Sequence, residues 1–178
     1  MRKRLGRDFF VQPTIKTAKR LLRKFLIRQV GKEKLVGKII ETEAYIDPDD
    51  KASHAFFGKT KRCQPMYGEP GIACVYFIYG MYRMLNVVAE KRGRPCVVLV
   101  RALEPVDLLP QRSYGFTAVQ FATVRGVSGG LLRTPSRIAS GPGKLCQWMK
   151  IDSSFNGEDL VKSQKLWVED RGVRIKRS

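Results

Sequence analysis

Acid is scarce in this sequence. Its 178 residues hold 16 Asp and Glu against 34 Lys and Arg, a formal charge of +18. Such an excess points to a polyanionic partner, nucleic acid first and an anionic membrane surface second. Histidine is nearly missing: His54 is the only one. The cysteines Cys63, Cys74, Cys96 and Cys146 are spaced in no zinc pattern, so no structural metal and no cofactor is expected. Reduced thiols of an intracellular protein are the default reading. No apolar run approaches the ~18 residues of a membrane span. The opening MRKRLGRDFF is basic but lacks the apolar stretch of a signal peptide, so the expected location is cytoplasm or nucleoid, with no membrane partner. The G-x-x-x-x-G-K-[ST] phosphate loop is absent, which removes nucleoside triphosphate binding from the readings. Repeats, low-complexity tracts and linkers are lacking too, so residues 1–178 are read as a single domain.

What is present reads as α+β. Pro13–Val30 places Ala18, Leu21, Leu22, Phe25 and Leu26 at helical spacing, with Lys16, Lys19, Arg20, Arg23 and Lys24 on the other side. Leu35–Tyr45 reads as a strand, with Ile39, Glu41, Glu43 and Tyr45 on one face and Ile40, Thr42 and Ala44 on the other. Asp47-Pro48-Asp49-Asp50 breaks it into a loop. Gly71–Glu90 reads as strand, tight turn at Gly80, strand. Pro95–Leu103 is a further buried strand except for Arg101. Segment 106–139 carries only weak helix signals. Ser140–Ile151 looks like a Gly/Pro turn opening a helix.

The little acid there is gathers in one place. Glu41, Glu43, Asp47, Asp49 and Asp50, five of the 16 acidic residues, fall within Glu41–Thr60 together with His54. Two carboxylates on one strand face suit acid/base work on a glycosidic bond, although a surface strand with two solvated glutamates has the same pattern. Tyr45, His54, Phe56 and Phe57 are aromatic plates beside those carboxylates, as a site for a flat, extruded base requires. Tyr76, Tyr79 and Tyr82 surround the Gly80 turn. They are either a hairpin tip that wedges into a groove or ordinary sheet-core tyrosines. Asn86 amid apolar neighbours is either a structural anchor or a reader of a base edge. Arg101 in a β core needs a carboxylate or a ligand. The backbone at Gly141–Lys144 is either a phosphate contact or a helix cap.

ETEAYIDPDDKASHAFFGKTKR, CVYFIYGMYRMLNVV, VLVRALEP and SGPGKLCQ resemble, in order and spacing, the four signature blocks of the alkyladenine (3-methyladenine) DNA glycosylase family. With the N-terminal DFF-Q-PT-x₆-LL pattern the resemblance covers roughly residues 7–170. It implies a base-excision enzyme that takes alkylated or deaminated purines out of duplex DNA. Carried over residue by residue, Glu43 is the general base that activates water and Arg101 helps position both. Tyr45 and His54 stack on the flipped base, and the His54 amide meets the purine 6-position. Tyr76 walls the pocket, Asn86 crowds the 2-amino group of normal guanine, and Tyr79 is the minor-groove wedge. Lys144 stands where a phosphate contact is expected. Glu41 matches a family position with no chemical role attached.

The resemblance also implies a curved, mainly antiparallel sheet flanked by helices. It is an open-barrel-like fold resembling the C-terminal domain of methionyl-tRNA formyltransferase. The expected partner is double-stranded DNA bearing a damaged purine, and the expected state is a monomer. The resemblance assigns no lysine to the pocket, so a Schiff base with the sugar is not implied and a monofunctional activity is expected. The pattern departs in two places. The family's T-P-R-N is replaced within GKTKRCQPMYG, although Arg62, Met66 and Gly68 match. The family also continues beyond RGVRIKRS with an R-x-G segment and an aromatic-rich strand, so the alternative reading is a lesion-binding protein with weak or no turnover.

Overall fold

A computed structural model describes residues 2–46, 50, 53, 55–56, 58–61, 63–78, 80–106 and 139–173. The chain starts with β1 (Lys3–Arg4), α1 (Arg7–Phe10) and α2 (Thr14–Leu21). The strands β2 (Phe25–Val30), β3 (Glu33–Tyr45), β4 (Ala73–Ile78), β5 (Tyr82–Val88) and β6 (Val97–Pro105) follow. After α3 (Pro142–Trp148) the last strand is β7 (Leu166–Asp170). All pairings are antiparallel and form one seven-stranded sheet in the order β1-β7-β2-β3-β6-β5-β4. The α+β, mainly antiparallel expectation describes this fold.

One expected element is corrected. Pro13–Val30 is not a single helix: α2 ends at Leu21, and Phe25–Val30 is β2, paired with both β3 and β7. The break is at Arg23, which adopts φ 67. A non-glycine residue in the left-handed region is uncommon, and the fold holds this one from both sides. The Arg23 amide donates to the Ile39 carbonyl at 2.7 Å, and the Ile39 amide donates to the Lys24 carbonyl at 2.8 Å. Phe25 and Ile27 are buried together with Val36 and Trp167. Sheet burial of these apolar side chains, each worth about 1.5–3 kcal/mol, outweighs the helical spacing.

The start of α2 is capped from a distance. Pro13 at its N-cap has no side-chain oxygen to offer. Glu90 supplies one instead, accepting from the Thr14 amide at 3.1 Å and the Thr14 hydroxyl at 2.6 Å, while Arg94 pairs with its other oxygen at 2.7 Å. Burial pushes the Glu90 carboxyl up, but the Thr14 hydrogen bonds and the Arg94 charge pull it further down, below its ordinary value. A depressed carboxyl stabilises the fold above its unfolded value and loses that contribution as pH falls through its folded value. Glu90→Gln is therefore expected to lower stability by about 1 kcal/mol at pH 7, the usual cost of a lost cap. Urea unfolding at pH 7 and pH 3 checks this. The difference from wild type should shrink at pH 3, and a difference independent of pH would contradict it.

The sheet has two faces with different tasks. On one, Ala18 and Leu21 of α2 and Leu145, Cys146 and Met149 of α3 pack with Ile39, Val75, Leu85, Val87, Val98, Val100 and Leu103. On the other, Cys74, Tyr76, Val88 and Val97 form a smaller cluster with Ala55, Cys63 and Met66. Two bulges between β3 and β6 join these patterns. Ile39 pairs with Leu103, Glu41 with Ala102 and Thr42 with Val100, which leaves Ile40 and Arg101 as extra residues. Strict alternation from Ile39 to Tyr45 therefore fails. Ile39 is fully buried in the helix-side core and Ile40 is 44% exposed. Bulges re-aim side chains in this way.

Candidate functional site

Register explains why the candidate residues meet. Glu43 pairs with Leu99, Leu99 with Asn86, and Asn86 with Cys74. Residues directly opposite one another point to the same face, so these four form a row across β3, β6, β5 and β4. The next row on one side holds Tyr45, Val97 and Val88, and the next row on the other side holds Tyr76 and Met84. Tyr45, Met66, Tyr76, Met84, Asn86, Val97 and Leu99 line one cleft. It holds about 330 Å³ of free space when its mouth is counted, and its closed inner part is only a narrow slot.

Glu43 sits at the edge of this cleft with a donor on each carboxylate oxygen. Arg101 Nη1 lies 2.6 Å from Oε1, and the Tyr45 hydroxyl donates to Oε2 at 2.7 Å. Each oxygen keeps a second lone pair for another donor, such as a water. Burial first, and then the hydrogen bond to Glu43, push the Tyr45 phenol up to about 12. Tyr45 therefore remains a donor through neutral and mildly alkaline pH. Arg101 also reaches Glu41, with Nε 2.9 Å from Oε1. One guanidinium thus joins two like-charged side chains that would otherwise repel on the same face. The Glu43 side chain is 36% exposed, open enough to meet a ligand from solvent.

Asn86 lies deeper, at 6% exposure, and its carboxamide has no partner among the described residues. An unpaired buried amide costs about 1–3 kcal/mol, and a ligand in the cleft would satisfy it. Tyr76 is buried and directs its hydroxyl to Met66 Sδ at 2.7 Å. Burial and the neighbouring Cys63 push the Cys74 thiol up to about 12, so it is protonated and unsuited to act as a nucleophile. Among the described residues no three His, Cys, Asp or Glu side chains converge on a metal position.

The β4–β5 hairpin projects an apolar tip. Phe77, Met81 and Tyr82 are exposed, while the Arg83 guanidinium lies over the Phe77 ring at 5.4 Å. The ring of Tyr82 rests on Gly143, where a Cβ would stand 2.6 Å from it. That contact brings the exposed Lys144 beside the hairpin. His54 and Tyr79, the predicted stacking and wedge residues, lie outside the described residues, as do Phe57 and Arg62. Glu43, Arg101, Tyr45, Tyr76 and Asn86 are brought to one side of the sheet. Sequence reasoning missed Met66, Met84, Val97 and Leu99 as lining residues and the pairing of Glu41 with Arg101. The alternation of VVLVR contained the Leu99 and Arg101 signal, but the bulge at Arg101 has no signature of its own.

The family described as methylpurine-DNA glycosylase (MPG) matches residues 8–178. A Clostridium botulinum protein named "Putative 3-methyladenine DNA glycosylase" is 45% identical over 168 residues, covering 94% of this chain and 80% of the relative. A Methanocella arvoryzae protein of the same name is 44% identical over 173 residues, covering 97% of this chain and 80% of the relative.

Proposed function

The chain belongs to the methylpurine-DNA glycosylase family, and from that premise we propose that the Glu43 cleft hydrolyses the N-glycosidic bond of an alkylated or deaminated purine flipped out of duplex DNA. The observation that carries this reading is the Glu43 carboxylate, held by Arg101 and Tyr45 beside a cleft whose buried Asn86 amide has no partner among the described residues. Glu43 accepts a proton from water while the water oxygen bonds to the anomeric carbon. The bond from that carbon to the purine nitrogen breaks, and its electron pair leaves with the base. The transition state at the sugar is oxocarbenium-like, so the adjacent carboxylate also stabilises it by charge. Alkylation at N3 or N7 makes the base cationic and a better leaving group, and a tyrosine face such as that of Tyr45 favours a cationic ring. Arg101 and Tyr45 each hold one oxygen of Glu43, which fixes the orientation of the carboxylate.

Binding follows the same chemistry. His54 stacks on the flipped base opposite Tyr45, Tyr76 walls the cleft, and Tyr79 fills the space the base leaves in the duplex. Lys144, next to the hairpin, contacts a phosphate. The protein acts as a monomer, and its affinity is salt-dependent because lysines and arginines release counterions from the DNA. Duplexes each carrying 3-methyladenine, 7-methylguanine, hypoxanthine or etheno-adenine test the reading. Free purine should appear together with strand breaks only after alkali. Strand cleavage without alkali would point instead to lyase chemistry.

Asn86→Ser is expected to relax selectivity. Normal guanine differs from hypoxanthine by its 2-amino group, and the asparagine side chain crowds that position. A serine opens the space, and a contact of this size is worth about 1–3 kcal/mol, so guanine release relative to hypoxanthine should rise about tenfold or more. Release rates for both bases, taken with a melting curve, check this. Lower stability with unchanged selectivity would make Asn86 structural.

A further inference from the structure

We propose that α2 carries a second DNA-binding surface, on the side of the molecule opposite the Glu43 cleft, which engages the phosphates of a second duplex. The proposal rests on the reading that the cleft side faces DNA. Thr17, Ala18 and Leu21 of α2 are buried against the sheet, and the Thr42 hydroxyl donates to the Ala18 carbonyl at 3.1 Å. Thr42 and Glu43 are adjacent in β3, so their side chains leave opposite faces. The outward side of α2 therefore points away from the cleft.

That outward side is a row of cations. Lys16, Lys19 and Arg20 stand at helical spacing, and Arg23 and Lys24 follow just past the helix end. Lys19, Arg20, Leu22, Arg23, Lys24 and Val173 line an open cleft. The charges are poorly neutralised. Lys24 pairs with Asp170 at 2.6 Å, whereas Lys19, Arg20 and Arg23 have no ion pair among the described residues. Elsewhere Arg7, Arg94, Arg101 and Arg171 are each matched to a carboxylate. Arg20 is held over the Phe9 ring at 4.8 Å, with no carboxylate to neutralise it.

Like charges at this density repel, and phosphates relieve that repulsion while releasing counterions. The shape favours a polymer over a single small anion. Eight helical residues extend about 12 Å, which matches three to four base-pair rises of 3.4 Å. A protein with phosphate-binding surfaces on both sides passes directly from one duplex to another. Its dissociation from the first is then accelerated by the second.

The test follows dissociation from a labelled lesion-free duplex as unlabelled duplex is raised. The wild-type rate should rise at least threefold across the series. Lys19→Gln/Arg20→Gln/Arg23→Asn should give a flat response, with asparagine chosen because it tolerates the φ of Arg23. Single-turnover base release by this variant on one duplex should stay within twofold of wild type. A charge-conserving Arg20→Lys/Arg23→Lys protein should transfer as wild type does, which separates charge from folding. A wild-type rate independent of competitor, or a neutralised variant that transfers normally, overturns the proposal. Binding to phosphatidylserine vesicles with no response to competitor DNA assigns the surface to lipid and also overturns it. Competitor-driven transfer by a wild type that releases no base leaves this surface standing and removes the cleft reading instead.

Discussion

Glu43→Gln is expected to lower base release from a lesion duplex by about 10³-fold or more, with lesion-duplex affinity changed by less than about threefold. Removing a positioned general base typically costs about 10²–10⁴ in rate. The same substitution also removes the negative charge that faces the oxocarbenium-like sugar. Neither interaction is fully made in the ground state, so the loss belongs to the rate and little of it to binding. Glutamine has nearly the shape of glutamate: its one carbonyl oxygen can still accept from Arg101, and its amide N–H can donate to the Tyr45 hydroxyl, so the cleft keeps its form. Glu41→Gln is the matched control. It loses only an exposed ion pair with Arg101, worth about 0.2–1 kcal/mol, so release should fall no more than about fivefold. Single-turnover release and equilibrium binding measured on both variants check the pair. Equal losses at the two positions would remove the distinction drawn between them.

Arg101→Lys is expected to give the second-largest loss, about 10- to 100-fold in release. One guanidinium reaches Glu41 through Nε at 2.9 Å and Glu43 through Nη1 at 2.6 Å. An ammonium is a single point on a flexible stem and does not reproduce two donors at fixed separation. Hydrogen bonds to charged groups contribute about 1.5–3 kcal/mol, which sets the expected range. The lysine keeps the positive charge, so the experiment isolates geometry. It is read as release rate on a saturating lesion duplex, with the melting temperature as a control for folding. A rate within twofold of wild type would mean that charge alone matters at this position.

How much was legible in the sequence differs from residue to residue. That Glu43 and Tyr45 share a face follows from period-two alternation in a strand ended by Asp-Pro, whereas the row joining Glu43 to Leu99 and Asn86 needed the register. The α+β class was readable from the same periodicity, and the antiparallel sheet was what the family resemblance implied. The helix-to-strand change at Arg23 was not legible, because Ala18, Leu21, Leu22, Phe25 and Leu26 fit a helical stripe. The pairing of Phe25–Val30 with β3 and β7 decides against that stripe, and it is a tertiary effect. Nor do Ile40 and Arg101 announce themselves as bulge residues, although the bulges set which side chains share a face. The two-residue β1 was too short for periodicity to detect, and β7, with the sequence LWVED, lies in a region read without a strand. The pairing of Glu41 and Glu43 through Arg101 needed the register as well as the residues.

One measurement separates an excising enzyme from a protein that only binds damage. The wild-type chain, in excess over a duplex with a single hypoxanthine or alkylated purine, is followed for freed base and for lesion-duplex affinity in the same samples. The predicted result is tighter binding to the lesion duplex than to its intact counterpart, together with release of that purine at least about 10³-fold faster than by Glu43→Gln, as expected when a general base is lost. Preferential binding with the damaged base still attached, or equal affinity for damaged and intact duplex, would contradict it.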